Sequence, residues 1–496
     1  MPKIIDEIPL VALKLDYSSG VPLYKQLYDL LRNAILEGKI NKGKRLPGTR
    51  SLAAELNISR NTVAIAFEQL KIEGYITGKT GSGSFVNELP DKKPVQNPLS
   101  KENVNAKRSA DTKKGVRELP VKVLPRWVNN AKVVPFQNGI PAINEFPIKT
   151  WIKIINQTSV NISNLHLSYS DAAGYRPLRE AIASYLQTYR AVNCTADQVI
   201  IINGSQQGLD LIGRVLLIKG SHVWLEDPGY FGVRASIISV GASIYACSLD
   251  EQGLDLSYSL KHNPKPDLIY TTPSHQFPLG QTMSVARRIQ LLNFAKKNKC
   301  WIIEDDYDSE FRYVGNPLPS LQGMDQNKSV LYLGTFSKVL VPGLRLGYLV
   351  LPDASMVEAF TSMKYIMDRQ SPILEQITLA KYIEEGHFTK HIRKMRMLYK
   401  SRQEFLIEEI NKKLSGLVDV KSSPSGMHVI AWLKKKISDK KVAAEALKID
   451  LIVNPLSDYS IKFHRNPGLI LGYTAFDEQE IKKGMNKLQQ VLEKII

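Results

Sequence analysis

Only three cysteines occur in 496 residues, Cys194, Cys247 and Cys300, an odd number scattered far apart. Such usage excludes a disulfide framework and offers no metal-ligand spacing, so reduced, buried thiols in a cytoplasmic protein without a metal site are expected. No apolar run approaches the roughly 18 residues that a membrane-spanning helix requires. The opening stretch, MPKIIDEIPLVALKLD, is broken by Asp6 and Glu7 and is not expected to be a secretory leader. Acidic residues are also scarce, with 48 Asp+Glu against 66 Lys+Arg and a formal charge of +18. Residues 1–130 hold 22 Lys+Arg and 13 Asp+Glu, so the front quarter carries +9, half of the excess. A dense basic front suggests a polyanionic partner, although charge alone is equally met by a solvated lysine-rich surface. With 43% hydrophobic and 23% charged residues the composition is globular, and the length favours two or three domains.

Within 21–38 the residues Leu23, Leu27, Leu30, Leu31, Ala34 and Ile35 recur at helical spacing, bounded by Pro22 and Gly38. A second, shorter helix follows Thr49, with Leu52, Ala53 and Leu56 turned inward and Asn57 placed to end it. Ser59 then caps a third helix whose apolar stripe is Val63, Ala66, Phe67 and Leu70, stopped by Gly74. The run YITGKTGSGSFV reads as two short strands with a glycine-rich tip, a small wing. Two short helices about three residues apart are a helix-turn-helix signal, and the second enters the major groove by its N-terminal end. Arg60, Asn61 and Thr62 sit at that end beside Ser59, and Arg50 opens the preceding helix. Lys79 and Gly83, with the Gly81-Ser82 tip, suit an adjacent minor groove. The plainer alternative is a helical bundle with exposed arginines.

The motifs PLYKQL, LRNAILEGKI, LPGTRSLAAEL, SRNTVAIAFEQL, EGYI and GSGSFV together resemble the GntR-type winged helix. The resemblance covers residues 20–87 and implies a double-stranded DNA operator as partner. One departure is Gly48, where a serine is usual before the second helix. Residues 88–132 are rich in Pro, Lys, Asn and Ser and are expected to form a flexible basic linker.

From residue 133 strand-like apolar runs (QVIII, HVWLE, DLIYTTP, CWIIED, SVLYLGTF, LGYLVL) alternate with helical stretches. That alternation predicts an α/β domain over 133–496 with a mainly parallel sheet, whose ligand lies at strand C-terminal ends. Four constellations fall at such ends. Asn203-Gly204-Ser205-Gln206-Gln207 opens a helix whose free amides suit a phosphate. Glu226-Asp227-Pro228-Gly229-Tyr230 offers an aromatic ring with Arg234 nearby. Asp305, Asp306, Tyr307 and Asp308 end a very apolar strand, where a carboxylate can meet a buried cationic nitrogen or face a metal or solvent. In GTFSKVLVPGLRLGYL, Lys338 is flanked by Thr335 and Ser337 and followed seven residues later by Arg345, which suits a Schiff base beside a phosphate site.

These stretches, with YSDAAGYRPLREAIASYL, resemble the fold-type I aminotransferases that use pyridoxal 5'-phosphate. The resemblance implies that Lys338 forms the internal aldimine and is the catalytic residue. Asp305 pairs with the ring nitrogen, Tyr307 meets the phenolic oxygen and Tyr230 stacks on the ring. Ser205, Gln206, Thr335, Ser337 and Arg345 hold the phosphate. Winged helix, linker and aminotransferase-like domain in that order look like the MocR/GabR class of regulators, as do TPSHQFPLG and HIRKMRMLYKSR.

That likeness implies a PLP-dependent transcription regulator, a head-to-tail homodimer that senses an amine or amino-acid effector by aldimine exchange at Lys338. Arg234 and His275 are the expected effector contacts, with Arg465 a weaker one. The rival reading is an active aminotransferase carrying a DNA-binding domain. Two departures count against full transamination. Phe277 stands where an asparagine usually precedes the turn proline, and the late strand GLILGYTAF has no arginine for a substrate carboxylate.

Overall fold

The computed structural model describes residues 15–79, 83–88, 133–160, 162–315, 318–434 and 437–495. The expected linker, and the Gly81-Ser82 tip of the wing, lie outside the described residues. The chain divides into two compact units, and the division falls inside the stretch expected as a linker.

The front unit has three helices, α1 (Leu23–Leu36), α2 (Thr49–Glu55) and α3 (Arg60–Ile72), and a hairpin of β1 (Ile76–Lys79) and β2 (Gly83–Val86). The stripes read from the sequence form its core: Leu27, Leu31 and Ile35 pack with Leu52, Ala53, Val63, Ala66, Phe67 and Leu70. Tyr28 joins that core unanticipated, because its hydroxyl can donate to the Glu73 carboxylate. Leu30 and Ala34 are only half-buried. Asn57 takes the left-handed conformation that ends α2. Gly48 leaves α2 without a side-chain cap, whereas Ser59 Oγ accepts from the Thr62 amide at 3.0 Å and caps α3. Ser59→Ala is therefore expected to destabilise this unit by about 1 kcal/mol, read as a lower urea midpoint at unchanged slope.

The second unit is built on a seven-stranded sheet. Its strands are β3 (Val199–Ile202), β4 (His222–Glu226), β5 (Ser243–Cys247), β6 (Leu268–Thr271), β7 (Trp301–Asp306), β8 (Val330–Thr335) and β9 (Gly347–Val350). Their order is β3-β9-β8-β7-β6-β4-β5. All pairings are parallel except those of β9, which runs antiparallel to β3 and β8. β3, β6, β8 and β9 are buried at every position, as expected for strands covered by helices on both faces. β5 was not evident in the sequence; it is an edge strand whose first three residues are exposed or half-buried.

A second sheet near the C-terminus pairs β10 (Val418–Val420), β11 (His428–Leu433), β13 (Gly468–Gly472) and β12 (Asn454–Pro455) in that spatial order, all antiparallel. The three cysteines are buried free thiols. Among the described residues no helix is long and apolar enough to cross a membrane.

Candidate functional site

The C-terminal ends of the parallel strands converge on one cavity of about 430 Å³. Because β9 runs the other way, its first residues reach the same edge: Gly347 pairs with both Ile202 and Thr335. The β8–β9 connection therefore brings Thr335, Ser337, Lys338 and Arg345 to the cavity wall. β3 delivers Ser205 and Gln206 at the start of α4 (Ser205–Leu216), β4 delivers Tyr230 at the start of α5 (Phe231–Ser239), and β7 delivers Asp305 and Tyr307. Every residue that the sequence assigned to a cofactor lines this one space.

Lys338 Nζ donates to the Gly139 carbonyl at 2.7 Å. A Cβ at Gly139 would lie 2.7 Å from that nitrogen, so the lysine tip would have to shift, and the φ of +73° would strain any side chain there. Burial holds the Lys338 ammonium below its usual range, against the opposing pull of Asp308 and Asp305. Burial pushes Asp305 up to about 7. Its Oδ2 accepts from the Tyr270 hydroxyl at 2.7 Å, while Oδ1 is buried with no partner. Alternation along β7 turns its neighbour Asp306 to the opposite face. There Arg190 (2.7 Å), Ser309 (2.8 Å) and Tyr332 all meet its Oδ2, while its Oδ1 is buried without a partner. Asp306 is thus paired with an internal guanidinium, whereas Asp305 lines the cavity with a hydroxyl as its bonded partner.

The raised pKa of Asp305 gives a prediction. Relative to an ordinary 3.8, a folded value of about 7 means that its contribution to stability is present at low pH and lost as pH rises through that window. Cofactor-free Asp305→Asn protein is expected to gain melting temperature relative to the parent between pH 4 and pH 7 (roughly the span of the two values), with no further gain above. Melting curves at stepped pH check it. Glu310 is likewise pushed up to about 7, so the difference between the two proteins, not either curve alone, isolates Asp305.

The opposite end of the cavity suits an anion. Gly204 precedes α4 with φ +90° and gives it no side-chain cap, leaving the helix amides to an incoming group. Arg345 Nη2 donates to the Asn203 carbonyl at 2.9 Å, and a Cβ at Gly204 would lie 3.2 Å from that guanidinium. Thr335 Oγ1 accepts from the Ser337 amide at 3.2 Å and keeps its own proton to donate. Ser337 Oγ is buried without a partner. Gln206 also lines this end of the cavity. Its side-chain amide donates to Gly232 O (2.9 Å) and Ser236 Oγ (3.0 Å), so only its backbone amide is left for a phosphate.

Tyr307 lines the cavity and shares its hydroxyl with His275 Nδ1 at 2.9 Å. The two expected effector contacts are not brought to the cavity wall. His275 is buried behind Tyr307, its Nδ1 3.0 Å from Asp308. The half-buried Arg234 guanidinium donates to the Tyr459 carbonyl. Arg465 donates to Leu249 O at 2.5 Å, also elsewhere. The structure adds Gly139, Tyr270, Phe231, Thr272, Met427, His428 and Tyr459 to the wall, together with Phe277. Of these, Tyr270 had a visible signal: it pairs with Ile303 on β7, two residues before Asp305 and on the same face.

In the front unit the expected DNA contacts Arg50, Arg60 and Asn61 are exposed, and Gly83 is exposed on β2. Ser59 and Thr62 hydroxyls bond each other at 2.8 Å. Lys79 ends β1. Arg45, unremarked in the sequence, bridges to Phe85 at the base of the hairpin.

Fold and site together define a pyridoxal-enzyme-like domain joined to a winged helix. Residues 131–465 match the aminotransferase class I and II family, and residues 23–86 match the gntR family of bacterial regulatory proteins. Over 480 residues the chain is 35% identical to a probable rhizopine catabolism regulatory protein, MocR, of Rhizobium meliloti, covering 96% of this chain and 95% of that one. It is 28% identical over 475 residues to the pyridoxine biosynthesis regulator PdxR of Corynebacterium glutamicum, covering 95% of this chain and 96% of that one. Among solved structures it is similar to kynurenine aminotransferase of Pyrococcus horikoshii in complex with PMP, at TM-score 0.68 and 28% identity over 74% of this chain and 93% of that one. The chain belongs to the MocR-type helix-turn-helix transcription regulators, with a gntR-family head and an aminotransferase class I and II domain.

Proposed function

We propose that this protein is a transcription regulator that holds pyridoxal phosphate at Lys338 and changes its grip on operator DNA when a primary-amine effector enters the cavity. The observation that carries the reading is the pairing of a buried, deprotonation-prone Lys338 with an Asp305 oxygen that has no partner. Pyridoxal phosphate, when bound, supplies an aldehyde that condenses reversibly with primary amines and a ring that withdraws electrons. Lys338 offers the resident amine, and its burial favours the neutral, nucleophilic form. Asp305 Oδ1 is the acceptor for a protonated ring nitrogen, and that cation would return Asp305 to its charged form. Tyr307 offers a hydroxyl to the ring's phenolic oxygen, and Tyr230 offers a face for stacking. Arg345, Ser337, Thr335 and the Ser205 and Gln206 amides hold the phosphate.

The front unit supplies DNA binding. Arg60 and Asn61 stand exposed at the N-terminal end of α3, with Arg50 on α2. A head-to-tail homodimer in the cytoplasm would present two such heads to two half-sites. An effector shifts operator occupancy only through unequal affinity for the two states of the regulator. The test is a gel-shift titration of the full-length, cofactor-loaded protein on its own upstream region, with and without primary amines. Operator affinity is expected to change with amine for the parent protein and to be indifferent to it in Lys338→Ala. An equal response from both proteins would remove Lys338 from the sensing path.

A further inference from the structure

Building on the cofactor assignment above, we infer that the effector is a primary monoamine with an apolar, aromatic body and no carboxylate, held in the aromatic box that lines part of the cavity. Among the described residues lining the cavity, Lys338 and Arg345 are the only lysine or arginine side chains. Both are committed. Lys338 is the anchor for the aldehyde, and Arg345 is fastened over Gly204 and Asn203 at the phosphate end.

Much of the remaining wall is aromatic, with Asn138, Thr272, Ile140, Pro342 and Met427 between the rings. The Phe277 ring lies 5.2 Å from Tyr459, 5.5 Å from His428, 5.9 Å from Tyr307 and 6.2 Å from Tyr230, centroid to centroid and edge to face in each case. Phe231 closes the box at 6.0 Å from Tyr459. His428 brings no charge to it. Its Nε2 donates to the Pro278 carbonyl at 2.8 Å, and burial together with His275 holds the ring down to about 3. Behind the box, Ile470 of β13 is fully buried with Ile430, Leu456 and Tyr459. An acid group in this space would give up its water and find, among the described lining residues, no uncommitted cation to replace it; the nearby Arg234 guanidinium is outside the lining and donates to the Tyr459 carbonyl. An amine with a flat apolar body would instead bury that body against ring faces. Phe277 therefore takes on a positive role, as the centre of the box that receives the effector's body.

The experiment compares two compounds with the same body. Full-length protein loaded with pyridoxal phosphate is titrated with phenethylamine and with L-phenylalanine, following the visible absorbance of the bound chromophore. Phenethylamine is expected to half-saturate at a concentration at least about tenfold lower. Equal or tighter response to L-phenylalanine overturns the inference. Hydroxylamine, which captures an aldehyde without needing the box, separates two kinds of failure. Colour that hydroxylamine removes but neither compound alters overturns the aromatic-amine inference and leaves the cofactor assignment standing. A protein that stays colourless after loading overturns the assignment itself, and this inference with it.

Discussion

Lys338→Ala protein mixed with pyridoxal phosphate and then desalted is expected to emerge colourless, while the parent keeps a visible chromophore through the same column. The amine that condenses with the aldehyde is gone, and the retained cofactor is expected to fall by at least about tenfold, since the covalent link converts reversible contact into durable attachment. Folding is not the reason for the loss. Lys338 is buried and its desolvation disfavours the charged form, so alanine removes an unfavourably placed ammonium as well as its hydrogen bond to Gly139. The melting temperature of the cofactor-free variant is expected to match or exceed that of the cofactor-free parent. A coloured, desalted Lys338→Ala protein would refute the assignment, because among the described residues no other lysine lines the cavity.

The second large effect belongs to the other unit. Arg60→Ala is expected to weaken operator binding by roughly 1–3 kcal/mol if the guanidinium reads a base edge, or to reduce the salt slope by about one if it reads a phosphate. Arg60 is the first residue of α3, fully at the surface, and follows the Ser59 cap directly. Its position at the helix N-terminus is the one that a recognition helix offers to the groove. The cap itself is independent of the guanidinium, so Arg60→Ala leaves the fold of the head intact. Fluorescence anisotropy over a salt series separates the two contributions. Affinity and slope both unchanged would take Arg60 off the interface.

Much of this architecture was legible because local patterns and global packing agree. The α1 and α3 stripes in the sequence became the front core, and six of the seven large-sheet strands were visible as apolar runs. Strand β5 was not, because it lies at the sheet edge and its burial is uneven. The nine expected cofactor residues all line the cavity, and they were legible because they cluster in short segments after strands. Gly139, Met427 and His428 were not, since they reach the same cavity from distant parts of the chain and bear no local signature.

Arg234 is not among the described residues lining the cavity, for a physical reason. It lies one turn beyond Tyr230, which suggests a shared face, but Tyr230 precedes α5 as its N-cap and the guanidinium is drawn to the Tyr459 carbonyl instead. His275 is absent from the lining for another: it is bonded to Asp308 and Tyr307. A sequence gives neighbours along the chain, and these outcomes were decided by hydrogen-bond partners across it.

The β8–β9 connection carries both Lys338 and Arg345, and Arg345 is tied in turn to the Asn203 carbonyl that precedes α4. On the proposed assignment, the aldehyde tether and the clamp at the far end of the same small molecule would hang from one short crossbeam. That crossbeam reaches, through Asn203, the mouth of a twelve-residue helix. Swapping the tether's occupant would then bear on a segment that joins two strands, not on an isolated side chain.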